Sequence, residues 1–223
     1  MSQFAEVFRD LDWSVLTDLL LSAIPVLVCF TVHELCHGLT AYMLGDDTAK
    51  NMGRITLNPL KHLDVTGLLM LAVFKFGWAK PVPVNPNNFK NYKQGMAVTA
   101  LAGPASTIVL AALLLALYGV LWRLPGLRGG LVLDIILETA YFSVSNAVFN
   151  ILPIPPLDGS KVLFGLLLSH ENYTKLMRYE RYGMTLLVLL TWSDNARWYL
   201  FLIADSLFDK LAQIALFIMQ FGR

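Results

Sequence analysis

Five apolar stretches run through the chain, and polar or turn-forming residues separate them. The stretches cover residues 15–44, 95–122, 131–152, 182–193 and 198–219. A helix needs roughly 20 apolar residues to cross a bilayer. The pattern therefore predicts an all-α polytopic membrane protein with about five transmembrane helices, and we expect residues 1–223 to form one domain.

Two segments interrupt this pattern. Residues 65–77 are apolar but too short to span, and residues 78–93 contain three prolines, so we predict a re-entrant or extended loop over 65–93. The stretch PIPPLDG at 153–159 is predicted to break a span that runs from 131 to 169, because proline removes a backbone donor. Non-helical backbone at membrane depth is tolerated only inside protein or beside a wet cavity. The break therefore indicates a site.

Composition supports the membrane assignment. Only 15% of residues are charged, against about 25% in soluble domains, and the mean hydropathy is +0.58. The net charge of +1 and the absence of a basic block argue against nucleic acid as a partner. The lipid bilayer is the partner that this composition predicts, and the oligomeric state is left open.

Positive charge divides the predicted loops into two classes. Most lysines and arginines fall in loops 45–94 and 170–181, whereas the N-terminus and the turns near 126 and 195 hold few. The positive-inside rule then places loop 45–94 in the cytoplasm. We therefore expect an integral multi-pass membrane protein with this orientation.

The first apolar stretch contains the sequence His33-Glu34-Leu35-Cys36-His37, which fits the pattern H-E-x-x-H. Residues one helical turn apart share a face, so both imidazoles can reach one ion, and Glu34 can act on a water without ligating the metal. Two histidines and a carboxylate are typical of catalytic zinc. The alternative is a chance pentapeptide with two core histidines, but ionisable residues within a membrane segment are rare and usually functional.

The residues alone leave several candidates for the third metal ligand. The candidates are Asp46, Asp47, His62, Asp64 and Asp158. Asp158 is favoured because it follows the prolines of the predicted break, although an aspartate there can also serve as a helix N-cap.

Several motifs together resemble the site-2 protease family of intramembrane zinc metalloproteases, and most closely its compact prokaryotic branch without a PDZ domain. They are HELCHG at 33–38, NPLKHLD at 58–64, FGWAKPVPVNP at 76–86, LAGP at 101–104 and FNILPIPPLDG at 149–159. The resemblance covers residues 30 to 165 approximately, in the family's order.

The resemblance implies a function and a site. His33, His37 and Asp158 would bind one Zn²⁺ per chain, and Glu34 would be the catalytic base. Asn150 fills the family's asparagine position, where it would either donate to the oxyanion or satisfy carbonyls near the prolines. The implied activity is cleavage of membrane-embedded or membrane-adjacent helices, so the implied partner is a membrane protein or peptide substrate.

Two other functions remain open at this stage. A metal transporter would need ligands on several spans and a conducting path, and an inactive relative would act as a binding protein.

The segment Lys80–Asn85 suggests how a substrate could be held extended. In a strand, Pro81 and Pro83 fall on one edge, and the N–H groups of Val82 and Val84 fall on the other. The second edge would then be open for strand addition. The alternative is that the prolines only stiffen a loop.

Overall fold

The structure, a computed structural model, describes residues 13–67, 70, 78–169, 171–172, 175 and 180–221. Its helices are α1 (Trp13–Met43), α2 (Thr48–Asn51), α3 (Tyr92–Trp122), α4 (Leu131–Asn150), α5 (Asp158–Leu167), α6 (Glu180–Trp192) and α7 (Asp194–Gln220). Short 3-10 turns cover Pro59–Lys61, Pro86–Asn88 and Pro125–Leu127. The described residues contain no β-strand, which confirms the all-α prediction.

Three helical segments are long and apolar enough to cross a membrane: Leu21–Met43 in α1, Tyr92–Trp122 (all of α3) and Leu131–Asn150 (all of α4). The described part of helix α6 has 13 residues, and α7 carries Asp205, Asp209 and Lys210 within its length. The figure of about five transmembrane helices therefore stays a prediction for the last two.

Helix α3 is the centre of the bundle. Helices α1, α4, α5 and α7 all pack against it, and α1 and α7 also pack against α4. Small and branched side chains fill the core between α3, α4 and α7; they include Ala111, Leu115, Ala140, Val144, Ala204 and Ala215. The small residues allow close approach of the helix backbones, and α1 and α5 both pack against α3.

The connections differ in part from the predictions. The turn predicted near residue 195 is shorter than the gap between the two apolar stretches, because α6 ends at Trp192, α7 begins at Asp194 and Ser193 alone separates them. Asp194 sits in the first turn, where the helix dipole favours a carboxylate, and it pairs with Arg197. Residues 78–85 form no regular element, whereas most of the predicted re-entrant piece, residues 68–69 and 71–77, lies outside the described residues.

The chain leaves the helix between α4 and α5, as the prolines predict. Pro153, Pro155 and Pro156 lie in this segment, and turn-type bonds such as Leu157 N–H to the Ile154 carbonyl (2.9 Å) replace helical ones. Gly159 packs so tightly beneath the segment that an added Cβ would lie 2.0 Å from the Ile151 carbonyl oxygen. The broken segment is thus held directly against the start of α5.

Asp46 connects residues 78–85, here called the irregular segment, to the end of α1. Its buried carboxylate accepts hydrogen bonds from the Asn85 N–H (2.7 Å), the Asn88 amide (2.7 Å) and Thr48. Burial alone raises the pKa of this carboxyl, but these hydrogen bonds outweigh it and hold the pKa below its ordinary value. The contribution of Asp46 to the stability of the folded protein is therefore present above the unfolded pKa of about 3.9, and it is lost as pH falls through the lowered folded pKa.

Candidate metal centre

Three buried side chains from two helices converge at the middle of the bundle. His33 and His37 lie on α1, and Asp158 is the first residue of α5. The Nε2 atoms of the histidines are 3.0 Å apart, and they lie 3.1 Å and 3.0 Å from Asp158 Oδ2. Among the residues that the structure describes, this is the one group of three His, Cys, Asp or Glu residues that could hold a metal ion.

The geometry suits a tetrahedral zinc ion. Zinc binds imidazole and carboxylate at about 2.0–2.2 Å, so neighbouring ligand atoms of a tetrahedral site lie about 3.3 Å apart. The observed separations of 3.0–3.1 Å are slightly shorter, and a small outward movement of each side chain makes room for the ion. Two imidazoles and one carboxylate also form a donor set that catalytic zinc commonly uses, with one position open.

Asp158 is not the N-cap residue of α5. Leu157 occupies the N-cap position of α5, and Asp158 follows it in the first turn. Lys161 lies 3.3 Å from Oδ1 of Asp158, while Oδ2 faces the two histidines. The lysine therefore occupies one carboxylate oxygen and leaves the other for a metal.

The other candidates for the third ligand lie elsewhere. Asp46 holds the irregular segment, and Asp47 is exposed. The Nε2 atom of buried His62 pairs with the Thr56 carbonyl oxygen at 2.9 Å. The Asp64 carboxylate accepts the backbone N–H groups of Thr66 and Gly67, at 2.8 and 3.0 Å.

Glu34 is half-buried beside the histidines, and its Oε2 accepts a hydrogen bond from the Val82 N–H at 2.7 Å. The prediction that this N–H is open for strand addition is therefore wrong, because a carboxylate of the same chain occupies it. Val82 is itself buried. The irregular segment thus holds one oxygen of Glu34 through this hydrogen bond.

Asn150 lies outside the three-atom cluster, which is formed by Nε2 of His33, Nε2 of His37 and Oδ2 of Asp158. Its Nδ2 donates to the backbone oxygen and to Oδ1 of Asn146, both at 3.0 Å. Asn146 in turn lies against His33, with its Nδ2 3.2 Å from Nδ1 of that ring. An extended chain of amides therefore links Asn150 to the metal site.

Sequence reasoning missed Asn146 and the role of α3. The signal for Asn146 is its position one helical turn before Asn150, on the same face of α4. On α3, the Thr99 carbonyl oxygen lies 2.7 Å from Nδ1 of His37. Gly103 packs against both rings, because an added Cβ would lie 2.4 Å from Nε2 of His37 and 2.6 Å from Cε1 of His33.

Comparison with known proteins identifies relatives whose names describe them as zinc metalloproteases. The chain is 38% identical over 179 residues to "Putative zinc metalloprotease YwhC" of Bacillus subtilis, an alignment that covers 75% of this chain and 78% of YwhC. It is 30% identical over 194 residues to "Putative zinc metalloprotease Rip2" of Mycolicibacterium smegmatis, covering 83% of this chain and 71% of that protein. Rip2 of Mycobacterium tuberculosis is 28% identical over 195 residues, covering 82% and 71%. No family model and no solved structure matches the chain.

Proposed function

This chain belongs to the zinc metalloprotease family that includes YwhC and Rip2, and from this premise we propose that it is a zinc-dependent intramembrane endopeptidase of the site-2 protease type. Its substrates are membrane-embedded or membrane-adjacent helices. The observation that carries the proposal is the convergence of His33, His37 and Asp158 on helices buried in an apolar bundle, with Glu34 next to them.

Each residue has a task in this mechanism. His33, His37 and Asp158 would hold one zinc ion, and the ion would supply the Lewis acidity that makes water nucleophilic near neutral pH. Glu34 removes a proton from the attacking water and later gives it to the nitrogen of the leaving amine. The Val82 N–H fixes one oxygen of Glu34. Asn150 donates an amide N–H to the oxygen that becomes negative as the scissile carbonyl is attacked.

The two other functions are less well supported by the geometry. A transporter needs a series of ligand sites along a path, whereas the described residues bring together one such group. An inactive binding protein would not need a carboxylate beside the metal ligands, yet Glu34 is present and is held by a backbone N–H.

Zinc content tests the metal site directly. Asp158→Ala is expected to lose bound zinc and cleavage of single-span helical reporters in proteoliposomes, because two histidines alone hold zinc weakly. His62→Ala is the matched control, since its ring pairs with the Thr56 carbonyl, and it is expected to keep zinc. Zinc per chain is measured by mass spectrometry after purification. The opposite pattern, with zinc kept in Asp158→Ala and lost in His62→Ala, would make the assignment wrong.

Orientation in the membrane is a separate prediction. With Cys29 and Cys36 replaced by serine, single cysteines at Lys90 and Gly126, both exposed, report opposite sides. We expect an impermeant thiol reagent added outside intact cells to label Gly126→Cys but not Lys90→Cys, because the positive loop 45–94 stays in the cytoplasm. Labelling at Lys90→Cys in intact cells would reverse the orientation, and labelling of both positions after lysis is the control for access.

A further inference from the structure

The Nδ1 atoms of the two histidines in the metal centre have different kinds of hydrogen-bond partner. The Nε2 atom of each ring faces Asp158, so each Nδ1 points away from the cluster. Nδ1 of His37 meets a backbone carbonyl, that of Thr99 on α3, at 2.7 Å. Nδ1 of His33 meets the side-chain amide of Asn146 on α4 at 3.2 Å.

The hydrogen-bond partner of His37 permits only one position for the hydrogen of the neutral ring. A carbonyl oxygen accepts and cannot donate, so Nδ1 of His37 carries the hydrogen, and the lone pair of Nε2 is free for a metal. The partner of His33 permits two arrangements. The oxygen and nitrogen of an amide have nearly the same shape, so Asn146 can present either an acceptor or a donor to Nδ1.

From these contacts we propose that Asn146 is a positioning residue for the metal centre, turning its amide oxygen toward Nδ1 of His33 when the site is loaded. The proposal rests on the proposed zinc-dependent function. A ligating Nε2 must offer its lone pair, so Nδ1 of the neutral ring must carry the hydrogen and needs an acceptor. Among the described residues, Asn146 is the hydrogen-bond partner of this atom, and its Oδ1 can supply the acceptor. Asn146 is 9% exposed, so burial limits replacement by water.

The structure itself shows the other arrangement. Nδ2 of Asn146 faces the ring, and Oδ1 accepts from Nδ2 of Asn150 at 3.0 Å. Turning the amide places Nδ2 of Asn146 against Nδ2 of Asn150, and two donors at that distance cannot bond. Asn150 must then give up this bond, although its contact with the Asn146 backbone oxygen is unaffected. Loading of the histidine site is thereby coupled to loss of one of the two hydrogen bonds that hold the amide of Asn150, the residue proposed to meet the substrate oxygen.

Two substitutions separate positioning from space filling. Asn146→Leu keeps the branched shape of the side chain but has no acceptor, and we expect it to weaken zinc binding about 10–100-fold. Asn146→Asp offers only oxygens to His33, so we expect zinc binding at least as tight as in the unaltered protein. Thr139→Val is the matched control on the same buried helix, since its hydroxyl bonds only the Ile135 carbonyl within α4, and we expect no change.

The readout is the zinc dissociation constant of the full chain in detergent, measured by competition with a chelator. Thermal unfolding of the metal-free proteins accompanies it and detects a loss of fold. If Asn146→Leu is too unstable to measure, Asn146→Asp still decides the matter, because a tenfold weaker zinc affinity in that variant overturns the inference. Equal affinity in Asn146→Leu and the unaltered chain also overturns it. An unaltered chain that holds no zinc would instead overturn the proposed function.

Discussion

Glu34→Gln is expected to keep one zinc ion per chain and to lower proteolysis by about 10²–10⁴-fold. Glutamine has nearly the same shape as glutamate but cannot take up a proton at neutral pH. Glu34 lies beside the three-atom cluster and is not part of it, so the ligands are unchanged. The measurement pairs zinc content with turnover of helical reporters in proteoliposomes.

The contact of Glu34 with Val82 adds a second arm to this experiment. Val82→Pro removes the N–H that donates to Oε2, so we expect the carboxylate to lose its orientation and kcat to fall, with zinc retained. Val82→Thr has a similar size and keeps the backbone donor, and it is expected to remain active. Residues 78–85 form no regular element, so a third proline in this segment interrupts no helix or strand.

Two results would contradict this account of the base. Loss of zinc in Glu34→Gln would make Glu34 a metal ligand. Unchanged turnover in Val82→Pro would show that the hydrogen bond to Oε2 does not position the carboxylate for catalysis.

The sequence predicts the long helices well, because length and hydrophobicity alone determine which segments can be buried in a bundle or a bilayer. The boundaries of α3 and α4 lie within a few residues of the predicted stretches. The spacing of His33 and His37 likewise follows from local helix geometry. Asp158 was one of five candidates on physical grounds, since the residues alone do not show which loop reaches the histidines.

Features that depend on packing between distant segments could not be predicted in the same way. The Val82 N–H was expected to face a substrate, and it faces Glu34 because Asp46 draws the end of the same segment against α1. Asn146 had no motif of its own. Its role became visible only when α4 was placed beside α1, with its amide against His33.

Gly103→Ala is expected to lower zinc affinity by about a hundredfold without unfolding the protein. The new methyl group would lie 2.4 Å from Nε2 of His37 and 2.6 Å from Cε1 of His33, far inside van der Waals contact. Neither ring can retreat freely, because His37 is bonded to the Thr99 carbonyl and His33 to Asn146. A shift of the ligating atoms costs metal affinity even when all three ligands remain.

The substitution of Gly103 by alanine should increase the stability of helix α3 itself. Alanine favours a helix over glycine by about 0.5–1 kcal/mol, so the loss of zinc cannot be attributed to a weakened α3. Gly165→Ala in α5 is the matched control, because its added Cβ would meet only Cβ of Met96 at 3.9 Å, an ordinary contact. We expect this control to bind zinc like the unaltered chain.

The comparison also distinguishes close packing against the metal ligands from close packing in general. Gly119 is another glycine of α3 at a tight contact, where an added Cβ would lie 2.8 Å from the Ala215 backbone oxygen on α7. Gly119→Ala should therefore lower the thermal stability of the metal-free protein and leave zinc affinity largely intact. Gly103→Ala should lower zinc affinity and leave the thermal stability of the metal-free protein largely intact. If both substitutions weaken zinc binding equally, α3 acts through the general stability of the bundle, and contact of Gly103 with the histidine rings has no special role.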